Sequence, residues 1–139
     1  MTVRSVRIGW VGFLVLVGSL SAGASDLGDA AAQAFRTNAW TRLSVYLSSE
    51  GRVYVRLPNL RSGFLTADQA QALFQEMERR LETRAFQVVQ DEGSERNRWL
   101  VRGTWRFYDR AHGKDFEYSV ELGWEFRERA WHLIVFQTR

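Results

Sequence analysis

Residues 99 to 126 constrain the fold more than any other stretch. From Trp99 to Tyr108 the odd positions are Trp99, Val101, Gly103, Trp105 and Phe107, and the even ones include Arg102, Thr104 and Arg106. From Phe116 to Phe126 the parity reverses: Phe116, Tyr118, Val120, Leu122, Trp124 and Phe126 alternate with Glu117, Glu121 and Glu125. Side chains alternate sides along a strand. The two runs therefore share an apolar face only if opposed residue numbers add to an odd total. A short turn around Ala111-His112-Gly113 allows totals of 223 or 225. The first sets Arg106 against Glu117 and Arg102 against Glu121; the second makes them diagonal neighbours. Either way the hairpin has one aromatic face and one face of arginines beside glutamates. A nucleic-acid platform needs aromatics and arginines on the same accessible surface, without acids that repel phosphate. No nucleic-acid partner is expected.

The last strand extends this pattern. A two-residue turn at Glu128-Arg129 sets Phe126 opposite Trp131, Trp124 opposite Leu133 and Leu122 opposite Val135. His132 then faces Glu125 as a surface ion pair. Ile134 and Phe136 fall on the charged face, where with Leu100 they form an apolar island, a candidate interface with a protein partner or a second copy.

Upstream the period is helical. Phe35, Ala39, Leu43, Tyr46 and Leu47 line one face of a helix expected over 29–48, with Asn38 marking a restart. Val53, Val55 and Leu57 alternate with Arg52, Tyr54 and Arg56 as a strand, and LPNLRSG reads as a turn. The clearest helix is TADQAQALFQEMERRLE, where Thr66 and Gln69 form a capping box and Leu65 staples onto Ala70. Its stripe is Ala70, Leu73, Phe74, Met77 and Leu81, and Arg79 and Arg80 suit the negative end of the helix dipole. RAFQVVQ resumes the strand period. Two N-terminal helices and a run of antiparallel strands specify an α+β domain.

The chain opens with a basic Arg4/Arg7 segment, an apolar run Ile8–Leu20 and the small residues Ala22-Gly23-Ala24, the pattern of a signal peptide. The expected division is a leader over 1–24 and a single domain over 25–139, exported to a periplasmic or extracellular space without a stable membrane anchor. The leader takes two arginines and no acid, so the formal charge of +3 falls to +1. The absence of cysteine excludes disulfides, thiolate catalysis and Cys-ligated metals.

The order of elements, SGFLTADQAQALFQEM followed by RAFQVVQ, WLVRGTWRF and WHLIVFQ, with Gly63, Gln69, Ala70 and Gly103, resembles the nuclear transport factor 2-like superfamily. It resembles more closely a bacterial family of small exported proteins of unknown function within it. The resemblance implies a strongly bent antiparallel sheet wrapped around the helices, a cystatin/NTF2-like cone. It also implies dimers across the outer sheet face, and a pocket at the wide end. Tyr46, Trp105, Tyr118 and Trp124 are the candidate lining of such a pocket for a small apolar ligand.

Similar enzymes, such as ketosteroid isomerase and scytalone dehydratase, carry an Asp, His or Tyr on the inner face as acid or base. Here the inner-face parity offers only Tyr118 and Tyr46. The reading is therefore a non-catalytic exported domain, without cofactor or metal, that binds a protein partner, itself or a small apolar ligand. The alternatives are an isomerase or dehydratase with Tyr118 as its acid, and a structural component of an envelope complex. His112 near Asp109 and Asp115 reads as a solvated turn rather than a metal site.

Overall fold

The computed structural model describes residues 26–93 and 96–139; the expected leader lies outside them. The chain forms α1 (26–36), a 3-10 helix (Trp40–Tyr46), β1 (Val53–Leu57), β2 (Arg61–Leu65), α2 (Ala67–Arg80), β3 (Leu81–Gly93), β4 (Arg98–Asp109), β5 (Lys114–Arg127) and β6 (Ala130–Thr138). The six strands make one sheet in the order β2-β1-β6-β5-β4-β3. Neighbours are antiparallel except β1 and β6, which run parallel. The architecture is α+β, a curled sheet with its apolar face turned onto the helices.

The expected first helix is broken. Asn38 takes φ 57° and ends α1, and its side-chain oxygen accepts from the Thr83 amide at 2.8 Å. The 3-10 helix restarts after Ala39, without a side-chain cap. α2 has the expected capping box: Thr66 accepts from the Gln69 amide, and the Gln69 side chain accepts from the Thr66 amide. Leu65 and Ala70 are both buried, as a staple requires. α2 passes into β3 without a loop. Leu81, the last residue of the expected helical stripe, is instead the first of a strand, and it is buried there.

β2 was not expected. Gly63 at φ +125° interrupts its alternation, so RSGFL carries no clean period. α1 lies along the free edge of β3, which would otherwise offer unpaired backbone groups. Arg36 Nε donates to the Phe86 carbonyl at 3.1 Å, and Asn38 holds the Thr83 amide.

The β4–β5 register is the one with total 223: Arg102 pairs with Glu121, Arg106 with Glu117, Trp105 with Tyr118. In the β5–β6 hairpin Glu128 and Arg129 take φ 54° and 65°, the two-residue turn expected. Phe126 pairs with Trp131 and Trp124 with Leu133. The register then shifts between Gly123 and Trp124, so Leu122 faces Phe136 rather than Val135. Ile134 is the extra residue of a β-bulge. Phe136 is thereby carried to the inner face, where it is fully buried between Phe35 and Phe74. Its assignment to the outer island is corrected accordingly.

Candidate functional site

The inside of the cone is aromatic and filled. Trp105 and Phe107 stack at 4.1 Å between ring centroids, Phe107 and Phe116 at 5.7 Å, and Phe116 and Tyr118 at 6.0 Å. Alternate positions on the antiparallel neighbours β4 and β5 put these rings on one face, and offset stacking is their favourable arrangement. The Trp105 indole donates to Thr83 Oγ1 at 3.0 Å. The β1–β2 turn, Leu57 to Leu60, closes over this stack. The space left is about 10 Å³, roughly the minimum that admits one water.

The four residues expected to line one pocket separate into two groups. Trp105 and Tyr118 stand at this closed mouth. Tyr46 instead packs edge-on against Trp124, at 6.1 Å between centroids. Burial, reinforced by the Asp26 charge, pushes the Tyr46 phenol above its ordinary pKa. Trp124 and Trp40 are buried with indole N–H groups that find no partner among the described residues.

A carboxylate missed by the sequence reading also stands at the mouth. Asp109 continues the inward parity of Trp105 and Phe107 by one more odd position, and it is 3% exposed. Arg80, the last residue of α2, donates to both its oxygens, from Nε at 3.0 Å and Nη2 at 3.1 Å. The Ala111 amide donates to Oδ1 at 2.9 Å, and His112 Nδ1 lies 2.8 Å from Oδ2. Burial pushes this carboxyl up. The hydrogen bonds from Arg80, His112 and Ala111, together with the Arg80 charge, outweigh burial and hold the pKa at about 2. Asp109 is thus held as an anion near neutral pH with donors on both oxygens, a poor proton carrier for chemistry at Tyr118. Asp115, the other acid near His112, pairs with Arg84 at 3.5 Å.

The outer face has the opposite character. Its middle holds a notch of about 150 Å³ floored by Gly123 and walled by Leu100, Ile134, Val135, Arg98 and Glu121. The Leu100 and Ile134 of the expected island do meet there, with Val135 in the place assigned to Phe136. A Cβ on Gly123 would meet nothing nearer than Val135 at 3.4 Å, so neither backbone geometry nor the core calls for glycine there. The level of Gly123 continues through Val135 to Tyr54 and the largely exposed Phe64, whose rings are 5.2 Å apart.

Polar groups flank the notch. Arg102 donates to Glu121 at 2.8 Å and to Gln90 at 2.9 Å, and Gln137 donates to Glu121 at 2.6 Å. Burial raises the Glu121 pKa, but the hydrogen bonds from Arg102 and Gln137 and the charges of Arg102 and Arg139 bring it below the usual carboxylate value. On the other side Arg98 pairs with Glu125 at 3.1 Å. His132 stands opposite Glu125 in the register, as expected, but its Nε2 lies 3.2 Å from the Arg127 carbonyl rather than pairing with the carboxylate.

No family model and no curated protein matches the chain. Solved structures do. A DUF4783 family protein from Bacteroides ovatus superposes with a TM-score of 0.60 at 17% identity, over 78% of this chain and 90% of that one. An NTF2-like protein of unknown function from Burkholderia pseudomallei gives 0.58 at 18% identity, over 80% and 85%. A hypothetical protein with a ketosteroid isomerase-like fold from Catenulispora acidiphila, in complex with trimethylamine, gives 0.59 at 10% identity, over 80% and 82%. The fold is NTF2-like, as the sequence resemblance implied, and its neighbours include DUF4783 proteins.

Proposed function

We propose that this is a non-catalytic binding domain of an exported protein, that its working surface is the outer face of the sheet, and that its partner there is a second copy of the chain. One contrast carries the reading. The closed mouth beside Trp105 and Tyr118 leaves about 10 Å³, whereas the outer face keeps a notch of about 150 Å³ walled by Leu100, Ile134 and Val135 together with Arg98 and Glu121. A small-molecule pocket buries most of its ligand in several hundred Å³, far more than this mouth offers. The outer notch has the form of an interface centre: apolar in the middle, ringed by charged and amide side chains.

The acid–base alternative places Tyr118 and Asp109 at the mouth together. It requires Asp109 to take up a proton near neutral pH, and the Arg80 pair opposes that by holding its pKa at about 2.

Native mass spectrometry of the mature domain, purified from an envelope fraction, tests the reading. The expected spectrum is a dimer whose mass is that of two chains and nothing more. A monomer retaining a stoichiometric small molecule would overturn it.

A further inference from the structure

The two edges of the sheet differ. One edge is β3 and the other is β2. At the β3 edge α1 covers the strand, with Arg36 donating to the Phe86 carbonyl and Asn38 accepting from the Thr83 amide. The β2 edge has no such cover. Residues 61–65 pair with β1 on one side, and among the described residues no other hydrogen bond reaches their backbone. An edge left in this way presents a row of amides and carbonyls that another strand can pair with.

A groove runs beside this edge. Val53, Val55 and Leu57 face the core, and the register sets Leu65, Gly63 and Arg61 opposite them, on the same helix-facing side. Leu65 is buried there, but a Cβ on Gly63 would meet nothing within 4 Å, so the space beneath the middle of β2 is open. Leu60 and Arg61 share a groove of about 400 Å³ with Ala72, Leu73 and Glu76 of α2. The start of β2 thus lies beside the last turns of α2, and the helix doubles back along the strand. Leu60, Ala72 and Leu73 make the lining partly apolar. Glu76 is paired with Arg79, and Arg80 with Asp109, whereas Arg61 has no ion-pair partner among the described residues.

We propose that the β2 edge takes up an extended segment of another polypeptide as a seventh strand, seated between β2 and α2. In strand addition main-chain pairing supplies the affinity and seats for alternate side chains supply the selection. Side chains of the added strand alternate sides. Those on the helix side meet Leu60, Ala72 and Leu73. Those on the other side lie beside Phe64, which is 67% exposed. The ligand is therefore an extended peptide, apolar at alternate positions, with a carboxylate to meet Arg61. Strand addition at this edge does not depend on the outer-face association proposed above.

A phage-displayed library of random short peptides, panned on the mature domain, supplies the probe, and the selected peptide is then synthesised and titrated. Amide resonances of residues 61–65, Ala72 and Glu76 should shift. N-methylation of alternate peptide amides should weaken binding about tenfold or more in one parity and spare it in the other, because only alternate amides of an added strand point at β2. Ala72→Arg fills the groove from an exposed helix position, where arginine is well tolerated. It should weaken binding about tenfold or more with an unchanged circular dichroism spectrum. Arg61→Glu should lose the acidic peptide and regain binding when the acid is replaced by lysine. The proposal is overturned by a library that yields no binder, or by shifts centred on Trp105 and Tyr118 or on the Gly123 notch. Methylation without parity, binding indifferent to Ala72→Arg, or an Arg61→Glu variant that the lysine peptide does not rescue also overturns it. So does a wild-type dimer that Ala72→Arg dissociates, since a second copy would then occupy the edge.

Discussion

Asp109 joins the end of α2, the end of β4 and the β4–β5 turn through one buried carboxylate. Removing a partner from a buried pair leaves the other charge uncompensated. Asp109→Asn should therefore cost about 2–4 kcal/mol in urea unfolding at neutral pH. The pH dependence has a definite sign. The folded-state pKa is depressed from 3.8 to about 2, so its contribution, about 2 kcal/mol, is complete above the ordinary value and disappears as pH falls through about 2. Wild type and Asp109→Asn should converge in stability as pH is lowered from 5 toward 2. Two glycines one strand apart separate fold from surface. A Cβ on Gly103 would stand 2.8 Å from both the Gln87 carbonyl and the Phe86 ring. Gly103→Ala should destabilise by about 1–3 kcal/mol, read as a lowered urea midpoint. Gly123→Ala should leave that midpoint nearly unchanged. Asp109 was legible in principle, since it continues the odd-numbered inward series. An acid next to a turn reads as a turn residue, however, until Arg80, distant in sequence, is seen beside it.

Among the elements, α2 was written most plainly, because cap, staple and stripe agree within one short segment. Thr66→Ala should cost about 1 kcal/mol of unfolding free energy in a denaturant titration. The β4–β5 pairing was legible for a similar reason: alternating aromatics and charges fix which residues may face each other, and only the choice between two registers was left open. β6 was less so. Leu133, Ile134, Val135 and Phe136 are four consecutive apolar residues, and such a run has no phase. Parity counted from the turn is right as far as Ile134 and wrong beyond it, because the bulge adds one residue. That single residue moves Phe136 from the expected interface into the core and brings Val135 to the notch. β2 was hidden by Gly63, and the break between α1 and the 3-10 helix showed only as Asn38.

At the scale of the whole molecule, stacked rings on the inward face leave almost no space at the mouth beside Trp105 and Tyr118, while the outward face keeps a notch beside alternating stripes of charge. The sequence disclosed the two faces but not their volumes, which depend on how Trp105, Phe107, Phe116 and Tyr118 lean on one another. A dimer rimmed by exposed charges should weaken as salt is raised from 50 to 500 mM, since screening acts on such pairs first. The central claim is that the outer face is the working surface. It is tested most directly by sedimentation velocity of the mature domain beside its Leu100→Glu variant, with circular dichroism confirming that both are folded. The wild type should sediment as a dimer and the variant as a monomer. Identical sedimentation of the two folded proteins would contradict the claim.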